Sequence, residues 1–377
     1  MNDEPRMVQY LHSKARKNRV PLVGNFELTQ NCNFSCPMCY VHENKRKDEL
    51  PTEAWLSLAE QARSGGMLFL LLTGGEPFLR DDFETLYTAL SEMGFLISVN
   101  TNGSLLAPYL PLLKKFPPFR INLSLYAAER EAYRRFCGID AFERVTASVQ
   151  ALRESKIPVR LNSVFTAHNR CQAPQIVRFA KAHRLHLKSS AYVYPQIRLG
   201  VPCGENRARL TAFEAAACEF EADLERFGAA YRAKAQRLQT EEAETENADA
   251  YRCVRCRAGR SSFWVTWDGK MRACGMLPYP ETYPLVNGFL PAWRELNEKV
   301  AEIRLPQECA VCKKRSVCPA CAAMCFAESG TFSEKPSYFC DFFRRLCDLS
   351  GAVLTDTAAC AASRESAAIF EEDCCDG

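Results

Sequence analysis

The sequence predicts an α/β fold with a parallel sheet, followed by a smaller cysteine-rich region. Two observations carry that prediction. Strand-like and helix-like segments alternate between residues 25 and 194, and cysteines crowd between 253 and 340. The strand segments are NFELT (25–29), LFLLLT (68–73), LISVN (96–100), INLSLY (121–126), VRLNSVF (159–165) and LKSSAYVY (187–194). Between them lie TEAWLSLAEQARS (52–64), DDFETLYTALSEM (81–93), PYLPLLKKF (108–116), FERVTASVQALRES (142–155) and APQIVRFAKAHR (173–184), with the apolar period of a helix. Asp81 and Asp82 stand where helix caps are favoured, and Gly94 where a C-cap is. Strands that alternate with helices pair in parallel. Right-handed crossovers then wind them into an open sheet or a barrel, and either form collects ligands at the C-terminal strand ends.

The chain has 377 residues, 47% hydrophobic and 25% charged, with a net charge of +3. That length favours about two domains and is enough to bury a core. The near-neutral charge gives no reason to expect a nucleic-acid partner. The longest apolar run, MLFLLL (67–72), has a strand's length, so no membrane span is expected. The polar start MNDEPRMVQY lacks the apolar core of a signal peptide. The expectation is a cytoplasmic protein. Its 20 cysteines then read as metal or redox chemistry rather than disulfides.

The conspicuous motifs fall at strand ends. CNFSCPMCY (32–40) follows the first strand, TGGEP (73–77) ends the second and NTNGS (100–104) ends the third. Ser124 lies late in the fourth and Asn162 within the fifth. Each alone is a turn signal; their shared rim is the stronger observation. Cys32, Cys36 and Cys39 are spaced C-x3-C-x2-C. A disulfide uses two thiols and a closed tetrahedral site four. An iron–sulfur cluster normally takes one thiolate per iron, so three thiols leave one iron open to a small molecule. A zinc knuckle completed by a distant cysteine or by His42 is the alternative.

A C-x3-C-x2-C triad followed by an aromatic, with TGGEP at the end of the next strand, resembles the radical S-adenosylmethionine (radical SAM) superfamily over about residues 20–200. The resemblance implies a partial (β/α)6, TIM-like barrel. It implies a 4Fe–4S cluster on Cys32, Cys36 and Cys39, with the amine and carboxylate of S-adenosylmethionine on the unique iron. One electron, from a flavodoxin or ferredoxin, then cleaves the sulfonium and yields a 5′-deoxyadenosyl radical that takes hydrogen from the substrate. Gly74, Gly75 and Glu76, closed by Pro77, are expected near the methionine amino group. Glycines permit close backbone approach, and a carboxylate accepts from an ammonium. Tyr40 is expected near the adenine, and Asn100, Asn102, Ser124 and Asn162 near the ribose and carboxylate. Some relatives carry Arg or Thr before the glycine of the segment AYRRFCG. Cys137 stands there, and no role is inferred for it.

From 207 to about 240 the chain is helix-rich and charged, and EEAETENAD (241–249) reads as a solvated linker. Then come Cys253, Cys256 and Cys274, the run CAVCKKRSVCPACAAMC (309–325) and Cys340. FWVTWDGKMRAC holds an Asp-Gly pair between strand-like flanks, a signal for a two-residue hairpin. No long-helix period is expected in this region. It resembles the SPASM extension of radical SAM enzymes. Gly269 and Cys274 match its G-x4-C, and Cys309, Cys312 and Cys318 its C-x2-C-x5-C. The next spacing departs, since Cys321 follows Cys318 at x2 and Cys325 comes four later. By resemblance, Cys309, Cys312, Cys318 and Cys340 hold one auxiliary 4Fe–4S cluster. Cys253, Cys256, Cys274 and either Cys321 or Cys325, with Cys321 preferred, hold another, making three clusters in all. Two zinc sites are the alternative. The other cysteines, at 137, 171, 203, 218, 325, 347, 360, 374 and 375, read mostly as small buried hydrophobes or free surface thiols.

The expected division is an N-terminal extension (1–24), a radical SAM partial barrel (25–206), a helical linker (207–250), a SPASM domain (251–345) and a tail (346–377). Enzymes with such a tail mostly modify peptides or proteins. They include thioether- and carbon-crosslinking maturases of ribosomal peptides and sulfatase-maturing enzymes. A peptide or small protein is therefore the expected substrate. Gly275 stands where the sulfatase-maturing pattern carries Asp, which weighs against formylglycine formation. Haem-pathway radical SAM enzymes share the architecture and remain an alternative. An iron–sulfur electron carrier or a zinc scaffold is the non-enzymatic one. The segment before residue 25 is too short for a winged-helix leader-binding domain. Its Lys14, Arg16, Lys17 and Arg19 contact acidic peptide or form a solvated helix face. No catalytic acid or base is assignable from the sequence.

Overall fold

A computed structural model describes residues 6–41, 49–243 and 251–355. His42, residues 244–249 of the acidic run and Cys360, Cys374 and Cys375 lie outside them. Six strands run in parallel and pair in chain order: β1 (Val23–Glu27), β2 (Phe69–Thr73), β3 (Leu96–Thr101), β4 (Arg120–Ser124), β5 (Val159–Val164) and β6 (His186–Ser190). Helix α1 (Arg6–Asn18) precedes β1. The crossovers carry α2 (Thr52–Ser64), α3 (Phe83–Glu92), α4 (Leu110–Lys115), α5 (Arg130–Cys137), α6 (Phe142–Glu154) and α7 (Ala173–Ala182). Helix α5 is unanticipated. Its REAYRRFC is too short and polar for its apolar period to stand out, yet Tyr133, Phe136 and Cys137 are buried. Asp82 occupies the N-cap position of α3 without capping it. Its carboxylate turns to Arg80 and Thr52 instead.

Alternation along each strand separates two faces. Phe26, Leu72, Val99, Leu123, Leu161 and Leu187 are buried in one core with Trp55, Leu86, Val149 and Ile176 of the surrounding helices. The opposite face carries Asn25, Ser98, Asn100, Asn122, Asn162 and Lys188 and lines the lumen. A closed eight-stranded barrel fills that space with branched apolar side chains. Among the described residues six parallel strands leave β6 as the edge of the sheet, and its inner face is polar. Helix α1 packs at the N-terminal end of the strands. His12 stacks on Phe69 at 5.4 Å, and Arg16 Nη1 donates to the Arg255 carbonyl at 3.0 Å. Arg16 is thus tied to backbone rather than wholly solvated.

The cysteine-rich region continues the same sheet. β7 (Ser262–Val265) pairs in parallel with β1, and β8 (Met271–Arg272) and β9 (Glu281–Thr282) follow antiparallel. The expected hairpin is there, but not its two-residue turn. Val265 lies opposite Met271, and residues 266–270 form the loop, with Gly269 at φ 83°. A long helix is also there, against expectation. After α10 (Pro284–Asn287), α11 (Phe289–Glu302) buries Phe289, Trp293, Leu296 and Val300 at helical spacing. Then come α12 (Gln307–Ala310) and α13 (Ala322–Ser329). α14 (Ser337–Thr355) crosses the expected boundary at 345 and packs on α8 (Ala212–Phe227) and α9 (Tyr231–Thr240). A Thr211–Glu214 capping box starts α8. No helix among the described residues is long and apolar enough to cross a membrane.

Phe263 of β7 joins the two halves. Its ring meets Phe26 of β1 and both Phe289 and Trp293 of α11, with centroids 5.1–6.5 Å apart. Truncating a fully buried Phe costs about 3–5 kcal/mol. Phe263→Ala is therefore expected to lower the unfolding free energy from urea titration by that much. Trypsin should then cut between residues 251 and 310 sooner than it does in the wild type.

Candidate functional site

The chain beyond β1 carries the first cysteine triad, and TGGEP of β2 fixes its path. Gly75 N–H donates to the Thr29 carbonyl and Glu76 N–H to the Asn31 carbonyl, both at 2.8 Å. A Cβ on Gly74 would stand 2.3 Å from the Thr29 carbonyl oxygen, and one on Gly75 would stand 2.2 Å from that of Asn31. Gly74 also has φ 145°. The double glycine therefore lets two backbones lie flush. That closeness joins the end of β2 to the chain that follows β1. Glu49 ties the same stretch, accepting from Thr29 Oγ1 at 2.6 Å and Gln30 N at 2.9 Å.

Glu76 has no exposed surface. Its carboxylate caps the single turn Pro77–Leu79 through Phe78 N and accepts from Thr101 Oγ1 (2.8 Å) and Asn102 N (2.7 Å) at the end of β3. It is a latch between two strand ends. Burial pushes its carboxyl up to about 7, while hydrogen bonds from Asn102, Thr101 and Phe78 oppose the rise. Asn102 is likewise engaged. Its Oδ1 accepts from Ser104, and its Nδ2 donates to Asn33 Oδ1 at 2.8 Å and points at Cys32 Sγ at 3.9 Å. It braces the triad loop, and the expected ribose contact has no donor left over. Pro77 is buried behind Glu76 at the start of that turn.

Cys32, Cys36 and Cys39 are partly exposed at the mouth of the lumen. Burial lifts the Cys32 thiol to about 12, and nearby Glu76, Cys36 and Cys39 add to it, against a hydrogen bond from Phe34 N–H. Cys36 is pushed up most by its hydrogen bond with Cys137 at the end of α5, then by burial. The residue given no role from sequence therefore touches the triad. Gly138 and the Cys137 carbonyl, which accepts from Ser35 N at 2.9 Å, seat that helix end against the loop.

On the lumen face, Asn122 Nδ2 donates to Asn100 Oδ1 at 2.9 Å, and Asn100 reaches Thr73 Oγ1 at 3.4 Å. Ser124 lies opposite Asn162 on the next strand. The Oδ1 atoms of Asn122 and Asn162 are buried without a partner, as acceptors awaiting a donor are. Sequence reasoning named Asn100, Ser124 and Asn162 but missed Asn122. Counting by twos from Ser124 finds it.

A strap after β6, also missed, crosses the mouth. Its alternate residues face three ways. Tyr194 OH lies 3.8 Å from Cys321 Sγ. Gln196 Nε2 donates to the Cys39 carbonyl at 2.6 Å. Arg198 pairs with Glu27 at 2.8 Å, donates to the Gly275 carbonyl at 2.8 Å and lies 5.5 Å from the Tyr40 ring and 5.6 Å from Trp267. Tyr40 therefore stacks toward Arg198. Burial, then Glu27, raises its phenol.

The later cysteines form two gatherings. Burial lifts Cys274 to about 11, with Cys321 and Cys256 close enough to add to it. Burial also lifts Cys309 to about 11 and Cys318 to about 12, each with Cys340 and Cys312 beside it. Cys325 is buried between the gatherings, near both Cys309 and Cys321, with its thiol raised by burial first. Cys253 is exposed. Among the described residues no three His, Cys, Asp or Glu side chains converge on a single ion. One feature recurs in all three gatherings. Cys32 accepts from Phe34 N and Cys274 from Met276 N, both at 3.4 Å, and Cys256 and Cys318 accept likewise from Ala258 and Ala320. Backbone donors aimed at sulfur are what a metal-bound thiolate collects. The donor sets therefore fit iron–sulfur ligation.

The model of the radical SAM superfamily matches residues 26–180, so the strands and cysteine triad of that segment form a radical SAM domain. Among relatives, a probable GTP 3′,8-cyclase of Saccharolobus solfataricus is 35% identical over 167 residues, 42% of this chain and 54% of that protein. The chain thus spans about half the length of such relatives. An AdoMet-dependent heme synthase of Methanosarcina barkeri is 26% identical over 345 residues, 84% of this chain and 96% of that protein. Streptococcus suis SuiB superposes with a TM-score of 0.64 at 17% identity, over 88% of this chain and 81% of that one. The structure of anSMEcpe with bound AdoMet gives 0.67 at 16%, over 90% and 99%. These two likenesses concern the fold, which is the mixed α/β fold with a parallel sheet that the sequence predicts.

Two expectations follow from this geometry. Arg198→Met strands the carboxylate of Glu27, which has no exposed surface, at a cost of about 3–5 kcal/mol. The double variant Glu27→Gln/Arg198→Met should recover most of that loss in urea unfolding. The second concerns Glu76. Its raised carboxyl stabilises the fold at low pH, and that contribution is lost as pH rises from 4.5 through about 7. Relative to Glu76→Gln, the metal-free wild type should lose about 3 kcal/mol between about pH 4 and pH 8.

Proposed function

We propose that this chain is a radical SAM enzyme that acts on a side chain of a peptide or small protein. The observation that carries the reading is the contrast in cysteine number. Three thiols sit at the lumen mouth, whereas the later gatherings have enough cysteines for closed sets. Cys32, Cys36 and Cys39 would hold one 4Fe–4S cluster. Cys309, Cys312, Cys318 and Cys340 would hold a second, and Cys253, Cys256, Cys274 and Cys321 a third. Cys321, not Cys325, is the neighbour of Cys274 and Cys256, which supports that choice. The triad's cluster, when bound, supplies the electron and the open coordination position for reductive cleavage of S-adenosylmethionine.

This chain's own residues do the rest. Asn102 and Phe34 N–H hold Cys32, Gln196 and Cys137 hold the other end of the loop, and Arg198 keeps Tyr40 at the edge of the mouth. Asn100, Asn122, Ser124 and Asn162 offer the lumen a set of amide and hydroxyl groups for the cosubstrate's ribose and carboxylate. The C-terminal region covers the same rim. The peptide reading is supported by SuiB, whose structure with the precursor peptide SuiA overlays 88% of this chain, and by anSMEcpe bound to AdoMet and the Kp18Cys peptide. A flavodoxin or ferredoxin fits as donor. A second reading, action on a haem precursor, is favoured by the heme synthase that aligns over 84% of the chain.

Anaerobic reconstitution is expected to load about twelve irons per chain. With dithionite and S-adenosylmethionine it should release 5′-deoxyadenosine. Cys36→Ala should lose about four irons and all of that product, yet keep the remaining iron. No 5′-deoxyadenosine from fully loaded wild type would contradict the proposal, and zinc in place of iron would turn it toward a scaffold.

A further inference from the structure

One member of the cysteine set around Cys274 is held differently from its neighbours. Cys274 accepts from Met276 N–H at 3.4 Å, and Cys256 accepts from Ala258 N–H. Both donors are backbone groups two residues downstream, as they are at Cys32 and Cys318. At Cys321 the contact comes instead from a side chain 127 residues away in sequence, the Tyr194 hydroxyl at 3.8 Å. Between a thiol and a phenol either group can donate. A metal-bound cysteine has lost its proton, so the hydroxyl is then the donor.

The phenol is fixed from several sides. Its ring packs edge-on against Tyr192, with centroids 4.9 Å apart. Tyr192 is buried, its hydroxyl donates to Glu328 Oε1 at 2.7 Å, and its ring meets Phe339 of α14 at 5.1 Å. The Tyr194 carbonyl accepts from Asn206 Nδ2 at 2.9 Å. Helix α13 starts directly after Cys321 and carries Glu328. Both tyrosine hydroxyls of the strap are thus tied to one short stretch of chain. Two residues further on, Gln196 holds the Cys39 carbonyl. The strap therefore meets the triad loop at a backbone carbonyl and the later gathering at a sulfur.

We propose that Tyr194 is a positioning residue for the cluster on Cys253, Cys256, Cys274 and Cys321: its hydroxyl donates to the Cys321 thiolate and raises that cluster's reduction potential. The inference rests on the proposed function, and within it on Cys321 rather than Cys325 as the ligand. A hydrogen bond to a ligating sulfur favours the reduced cluster, which carries the extra negative charge, so the potential rises. The cluster becomes a readier electron acceptor beside the mouth. A backbone donor cannot be deleted by substitution. A hydroxyl on a separate segment can, with the ring left in place.

The test is a potentiometric titration of the reconstituted full chain, followed by electron paramagnetic resonance with and without S-adenosylmethionine. Wild type, Tyr194→Phe and a chain with fluorotyrosine in place of Tyr194 are compared, and the iron of each is counted. In Tyr194→Phe the midpoint of one cluster should fall by about 40 mV, about a fivefold change in its reduction equilibrium. The other midpoints should stay, including that of the signal that S-adenosylmethionine shifts. The fluorinated phenol is the stronger donor and should move the same midpoint upward. A role confined to packing would leave every midpoint of a fully loaded chain in place. The inference is overturned if no midpoint moves, if both substitutions move it the same way, or if the moved signal is the one that responds to S-adenosylmethionine. Should Tyr194→Phe load less iron than wild type, the fluorotyrosine chain decides alone, and an unmoved midpoint overturns the inference. Unmoved midpoints in a fully loaded chain that releases 5′-deoxyadenosine sink this inference and leave the proposed function standing. A fully loaded wild type that releases none contradicts that function whatever the midpoints do.

Discussion

The ion pair between Glu27 and Arg198 is the contact on which the arrangement of the mouth depends. Glu27 ends β1 with no exposed surface, and the Arg198 side chain is 4% exposed. Such a pair adds little net stability, but its geometry is enforced because either charge alone is costly. Glu27 thereby fixes the strap that carries Tyr194, Gln196 and Arg198. The strap in turn touches Cys321, the Cys39 carbonyl, Tyr40 and the Gly275 carbonyl. One buried carboxylate thus holds the triad loop and the later cysteines in a common frame.

A second constraint works beside it. The backbone of Gly74–Gly75 lies flush on Thr29–Asn31, and Glu76 latches β2 to β3. Both devices act on chain geometry rather than on a ligand. They leave the Oδ1 atoms of the lumen-facing Asn122 and Asn162 among the buried acceptors without partners. The rim is therefore stiff where it carries cysteines and unsatisfied where a ligand would enter. β7 adds the cysteine-rich region to the same sheet beside β1, so the three cysteine gatherings belong to one packed body.

Much of the fold was legible because the strands are apolar on alternate positions and the crossover helices keep a helical period. Helix α2 runs from 52 to 64, as its pattern indicates. Helix α11 was equally legible in FLPAWRELNEKV; the density of cysteines on either side drew the reading toward a loop-rich module. β7's place beside β1 was not legible, since pairing across more than 200 residues leaves no local trace. Site residues divided in the same way. The triad and GGEP announce themselves by spacing. Glu27, Gln196 and Arg198 act through contacts remote in sequence, and so do the bonds that join Glu76 to Thr101 and Asn102.

The central claim is that the triad alone leaves an iron open to the cosubstrate. Electron paramagnetic resonance of the dithionite-reduced, fully loaded chain tests it most directly. The account predicts that S-adenosylmethionine shifts the g-values of one cluster signal and leaves the others unchanged, and that Cys36→Ala lacks the responsive signal. Signals indifferent to S-adenosylmethionine, or a response that survives in Cys36→Ala, would contradict it.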